Sequence, residues 1–129
     1  MDEYTNSRSY DVGDMYGGSL GKLDLESHED ARTYRTALTS GLEEGVNFAG
    51  SYTVVTVGCG TSCQYHYVID SESGKVLDKI QSSAGASYSS RSRLFVVNPP
   101  DSTTNYSNCD GCEPKAYVFE EGKFKAIEN

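Results

Sequence analysis

The chain has 129 residues, 36% of them hydrophobic, and 19 acidic against 11 basic side chains give a formal net charge of −8. That length suits one domain that buries well over half of its extended surface. The charge excludes nucleic acid, whose phosphates need a cationic footprint, and disfavours an anionic membrane.

No run approaches the roughly 18 apolar residues of a membrane span, so no membrane insertion is expected. A basic protein is the partner that the negative field favours, mostly through a faster on-rate, although the same charge also serves solubility. Ten tyrosines and no tryptophan, among many serines, glycines and threonines, give the look of a secreted β protein with a wet surface.

Residues 1–21 read as a flexible N-terminal arm, and 22–129 as a single domain. Asn6-Ser7-Arg8-Ser9-Tyr10-Asp11 and Gly17-Gly18-Ser19-Leu20-Gly21 carry turn residues without a sustained period. Met1-Asp2-Glu3-Tyr4-Thr5-Asn6 lacks the cationic head and apolar run of a signal peptide. Leu23 and Leu25 alternate with Asp24 as in a short edge strand.

Ser27-His28-Glu29-Asp30 has the form of a capping box. Ala31, Tyr34, Ala37 and Leu38 then recur at helical steps, which predicts a helix from His28 to about Ser40. Gly41 and Gly45 are its stop signals.

From Ser51 onward the pattern is β. Thr53, Val55 and Val57 alternate with Tyr52, Val54 and Thr56, so this strand is suited to cover on both faces. Gln64 to Asp70 returns, and Ser71-Glu72-Ser73-Gly74 turns the chain into Lys75 to Ile80. Gln81 to Ser90 reads as a small-residue loop, and Arg93 to Asn98 as a fourth strand ended by Pro99-Pro100. Glu121-Gly122 closes a last hairpin between Lys115–Glu120 and Lys123–Ile127. The fold expected is α+β, with one N-terminal helix packed on a curved antiparallel sheet of five to six strands.

Four cysteines carry the most information: Cys59 and Cys63 close one loop, Cys109 and Cys112 another. Each pair is placed to form a local disulfide, which removes about 2 kcal/mol of unfolded-chain entropy. Gly60 and Gly111 supply the backbone freedom that a tight ring needs. Cross-pairing, a four-thiolate zinc site and free or redox-active thiols are the alternatives. The polar N-terminus taken literally argues for the cytoplasm, where disulfides rarely persist. The cysteine pattern favours the other reading, a periplasmic or secreted chain with Met1 added to the mature sequence after signal removal.

His28 and His66 are the two histidines. His66 follows Cys63 closely enough for a Cys–His nucleophilic pair, against the simpler reading of a strand histidine between Tyr65 and Tyr67. Carboxylates such as Glu43-Glu44, Glu120-Glu121 and Asp70 with Glu72 fall in turns and strand ends. Neither a phosphate loop nor a nucleophile elbow occurs in the sequence. Accordingly no catalytic residue, metal site or cofactor is expected. Tyr52, Tyr65 and Tyr67 with Gly60, Thr61 and Ser62 form the expected contact surface, since tyrosine gives large contact area at low entropy cost. Many tyrosines would equally cover sheet faces.

The run Gly45-Val46-Asn47-Phe48-Ala49-Gly50-Ser51-Tyr52-Thr53-Val54-Val55-Thr56-Val57-Gly58-Cys59-Gly60-Thr61-Ser62-Cys63-Gln64 resembles the signature of a family of small, uncharacterised bacterial exported proteins. The likeness extends upstream to Ala31-Arg32-Thr33-Tyr34-Arg35-Thr36 and downstream to Asp70, Gly74-Lys75-Val76, the strand from Ser92 to Pro100 and Gly122-Lys123-Phe124. This chain departs from the family at Ser51, where His is common, and at Val57, where Trp is common. The resemblance implies an exported α+β fold and no assigned activity.

In layout the chain is also similar to periplasmic lysozyme inhibitors, in which a disulfide-closed loop projects from an antiparallel sheet into the enzyme's cleft. The function expected is thus a non-enzymatic exported domain that binds a protein, in its sharpest form an inhibitor or immunity protein. Its target would be a basic cell-wall hydrolase such as lysozyme, engaged through the Cys59–Cys63 loop. The other classes are a cysteine-dependent redox or hydrolytic enzyme and a zinc-stabilised module.

Overall fold

One short helix and two antiparallel sheets make up the residues described by the computed structural model: 15–60, 63–83, 85–98 and 115–127. Helix α1 (Arg35–Glu43) comes first. Strands β1 (Tyr52–Gly60), β2 (Cys63–Asp70) and β3 (Val76–Ser82) then form a sheet in the order β1-β2-β3. A second sheet, in the order β4-β5-β6-β7, holds β4 (Ala86–Tyr88), β5 (Leu94–Val97), β6 (Lys115–Glu120) and β7 (Lys123–Ala126).

The α+β class therefore stands, but the single curved sheet of five to six strands is replaced by two sheets. The reason lies in β1 and β2, which are apolar on both faces and so need a cover on each side. Val55, Val57, Tyr67 and Ile69 pack with Ala31, Leu38 and Leu42 on the helix side. Val54 and Val68, directly paired across the two strands, pack with Phe48, Phe95, Val97 and Phe119 between the sheets. Phe48 is wholly buried and meets the rings of Phe95, Phe119 and Tyr88 edge-on. Burying such a side chain stabilises the fold by about 1.5–3 kcal/mol.

Helix α1 begins later than the sequence pattern predicts. Ser27 does not cap it: its hydroxyl donates to the Asp24 carbonyl at 2.6 Å and accepts from Val76 N–H at 2.8 Å. Residues 28–34 form turns that lead into the helix. Gly41 is inside the helix rather than past its end, and there a Cβ would collide with the Val55 side chain, so glycine serves close packing on β1 instead of a stop. Gly45, at φ 94°, follows the stop.

Leu23 and Leu25 lie in irregular chain, tied to the β2–β3 turn by Gly21 N–H to Ser71 O at 2.8 Å and Asp24 N–H to Gly74 O at 2.9 Å. The expected 81–90 loop instead contains the end of β3 and all of β4, which Phe95 to Val97 template by pairing. The final hairpin is seen, with Glu121 at φ 55° and Gly122 at φ 78°, the left-handed pair that a tight primed turn requires. From the expected N-terminal arm, residues 1–14 lie outside the described set, while Tyr16 N–H donates to Gly50 O at 2.7 Å.

Candidate functional site

The β1–β2 hairpin carries the loop that the cysteine spacing singled out. Val57 pairs with Tyr65, Gly58 with Gln64 and Gly60 with Cys63, and the register shifts between Gly58 and Gly60. That irregularity brings Cys59 and Cys63 to disulfide distance, with Cα atoms 5.0 Å apart. Gly60 takes φ 129°, which a side chain would strain, and both Gly58 and Gly60 are exposed. Thr61, Ser62, Cys109 and Cys112 lie outside the described residues.

Tyr65 is the tyrosine next to this tip. It is half-buried, and the Lys79 ammonium sits 4.5 Å from its ring centroid, a cation–π contact. Gln81 Nε2 donates to Cys63 Sγ at 3.5 Å, so β3 supports the staple from the neighbouring strand.

Tyr67 is on the same face but has no exposed surface, so it offers no contact area of its own. Its hydroxyl donates to Asp30 Oδ2 at 2.7 Å, and Lys79 Nζ reaches the same oxygen at 2.9 Å. The Lys79 hydrogen bond, then that from Tyr67, holds the Asp30 carboxyl below the usual range. Burial, reinforced by Asp30, pushes the Tyr67 hydroxyl up, and the Asp30 bond raises Lys79. This trio fastens the pre-helical turn to β2 and β3. Through Lys79 it also touches the Tyr65 ring.

Tyr52 lies at the opposite end of β1 from Cys59, about 23 Å away at the usual strand rise. There it packs edge-on against Phe119, with ring centroids 4.9 Å apart. It lines an open cleft of about 480 Å³ with Ser51, Arg93 and Glu120, where Arg93 Nη1 is 3.2 Å from Glu120 Oε1. The structure thus groups Gly60 and Tyr65 at the tip and separates Tyr52 from them.

His66 is buried between the two sheets. Nδ1 shares a 2.7 Å hydrogen bond with Thr56 Oγ1, and Nε2 one of 2.7 Å with Ser82 Oγ. Burial pushes its pKa down to about 4, so the ring is neutral at pH 7 and its two hydroxyl partners satisfy both nitrogens. The ring faces away from Tyr65 and Tyr67 by strand alternation, on the side of Phe95. It is a structural histidine in a satisfied network.

The stretch from Asn47 to Tyr52 forms a turn that its sequence did not disclose. Phe48 and Tyr52 exchange backbone hydrogen bonds of 3.1 and 3.0 Å, closing a tight turn in which Ala49 (φ 52°) and Gly50 (φ 84°) are both left-handed. Ala49 N–H and Gly50 N–H anchor that turn to carbonyls of Ser89, Ser90 and Ser92. The turn drives Phe48 into the core and lays Asn47 along the outer edge of β1. Asn47-Phe48-Ala49-Gly50 thus builds a strained turn with a buried aromatic and an edge amide. The only sequence signal for it was the Ala-Gly pair.

Among the described residues, no group of His, Cys, Asp and Glu is arranged to hold a metal ion, and no helix is long and apolar enough to cross a membrane. Compared with protein-family models, with curated proteins and with solved structures, the chain matches none.

Proposed function

We propose that this is a non-enzymatic, exported protein-binding domain whose contact surface is the Cys59–Cys63 tip with Tyr65 beside it. The observation that carries the reading is the stapled, glycine-flanked end of the β1–β2 hairpin, where Gln81 donates to Cys63 Sγ and Lys79 lies over the Tyr65 ring. A hairpin tied by a disulfide near its end loses less conformational entropy on docking than an open one, which favours affinity. A partner with a basic cleft suits the charge of −8.

The sharpest form of the proposal is an inhibitor or immunity protein that inserts this tip into the cleft of a basic cell-wall hydrolase of the lysozyme type. The resemblance to a bacterial exported family supports the compartment, as does the disulfide-distance pair. The protein titrated into a panel of basic muramidases is the test. Saturable inhibition at micromolar concentration or tighter is the expected result, and neither binding nor inhibition across the panel rejects the proposal.

A further inference from the structure

Along an antiparallel strand, alternate residues turn their backbone N–H and C=O toward one neighbour and then the other. On β1, Tyr52 belongs to the set facing away from β2, since its N–H donates to Phe48 O at 3.0 Å and its carbonyl accepts from Asn47 N–H and Phe48 N–H. Val54 is the next in that set. The Asn47 side-chain amide meets both of its groups, donating to Val54 O at 3.0 Å and accepting from Val54 N–H at 2.6 Å. The same alternation turns Thr56 and Gly58 outward. Both are exposed, and no hydrogen bond engages either backbone on that side among the described residues.

β1 is an edge strand of its sheet. Its free edge is therefore closed at Tyr52 and Val54 and open at Thr56 and Gly58, directly before the stapled tip. A groove of about 420 Å³ runs beside the open part. Val54 and Thr56 line its β1 side, Ala37 and Gly41 keep the helix wall low, and Tyr88 stands on the other side. Glu44 is the charged side chain of that lining. Folded proteins usually blunt an exposed edge along its whole length, because it templates strand pairing. Here the blunting stops midway.

We infer that the open edge at Thr56 and Gly58 receives an extended, lysine- or arginine-bearing segment of a protein partner, which adds antiparallel to β1 as a further strand. Main-chain hydrogen bonds to the two N–H and two C=O groups supply affinity, and Glu44 with the overall charge of −8 selects the basic side chain. A second copy of this chain is disfavoured as the occupant by that same charge. The inference rests on the protein-binding reading for the nature of the partner, while the open edge itself does not depend on it.

The test is amide hydrogen exchange, residue by residue, on the oxidised full chain with a hexapeptide of alternating lysine and valine as the probe. Exchange at Thr56 and Gly58 is expected to slow by about tenfold or more. The same peptide N-methylated at alternate amides should have no effect, nor should its glutamate–valine counterpart. Gly58→Pro removes one outward N–H at a position where proline is tolerated on an edge and no neighbour lies within 4 Å of an added Cβ, so it should lose the response.

Unchanged protection, an equal response to the N-methylated peptide, or concentration-dependent protection without peptide would each overturn the inference, the last in favour of self-pairing. Muramidase binding that Gly58→Pro leaves intact, with no peptide response, removes the edge alone. A peptide response without muramidase binding removes the hydrolase reading alone.

Discussion

The side-chain amide of Asn47 grips both backbone groups of Val54, accepting from its N–H at 2.6 Å and donating to its carbonyl at 3.0 Å. It stands in for a neighbouring strand at Val54, where the returning turn supplies no backbone. Asn47→Ala strands two partly buried polar groups and is expected to cost about 1–3 kcal/mol, read as a lower denaturant midpoint at constant slope. Asn47→Asp should not restore the loss, because a carboxylate has no N–H for the Val54 carbonyl.

His66 makes the fold sensitive to acid. Its folded pKa is about 4 against about 6.5 in an unfolded chain, so the unfolded state binds the extra proton between those values. The stabilisation from keeping the ring neutral is complete above about pH 6.5 and is lost as pH falls toward 4, for a total of about 3 kcal/mol. Urea unfolding across that window should show the slope. His66→Gln should flatten it, even though the variant is less stable at neutral pH.

Gly41 separates helix propensity from packing. Alanine normally improves a helix interior by about 1 kcal/mol over glycine. Here a Cβ would collide with Val55, the residue that joins α1 to β1. Gly41→Ala is therefore expected to destabilise by about 1–3 kcal/mol through overpacking, and a double variant with Val55→Ala should recover part of that. Thermal unfolding of the two variants checks both signs.

Replacing Cys59 and Cys63 together by serine removes a staple across a sequence separation of 4. Loop-closure entropy puts the cost at about 2 kcal/mol, so the domain should stay folded while the end of the β1–β2 hairpin loses its closure. Circular dichroism and melting on the variant measure the first effect. Its binding, compared with that of the oxidised protein, measures the second.

Much of the fold was legible because β1, β2, β3, β5 and the last hairpin carry their own alternation and turn residues. What the sequence hid was set by long-range partners. Ser27 looked like a cap until Val76 N–H, far along the chain, claimed its hydroxyl. β4 consists of Ala86, Ser87 and Tyr88, too short to show a period and dependent on Val97, Val96 and Phe95 for its pairing. Both faces of β1 were correctly read as covered, yet the second cover proved to be a separate sheet, which no local pattern encodes.

The site was legible in the same uneven way. The Cys59–Cys63 spacing announced a closed loop, and Tyr65 does lie beside it. Tyr67 and Tyr65 share a strand face, but the pre-helical turn covers only the former through Asp30. Tyr52 is on the same strand as Cys59 at its other end, a separation that the alternation from Tyr52 to Val57 already implied.

The measurement that tests the central claim most directly is calorimetric titration of the oxidised chain into basic muramidases, beside the reduced protein and Tyr65→Ala. Saturable binding at micromolar affinity or tighter by the oxidised chain, weakened by about tenfold or more in both controls, is the predicted result. Absence of binding, or equal affinity for the reduced and Tyr65→Ala forms, would contradict the assignment of the stapled tip as the contact surface.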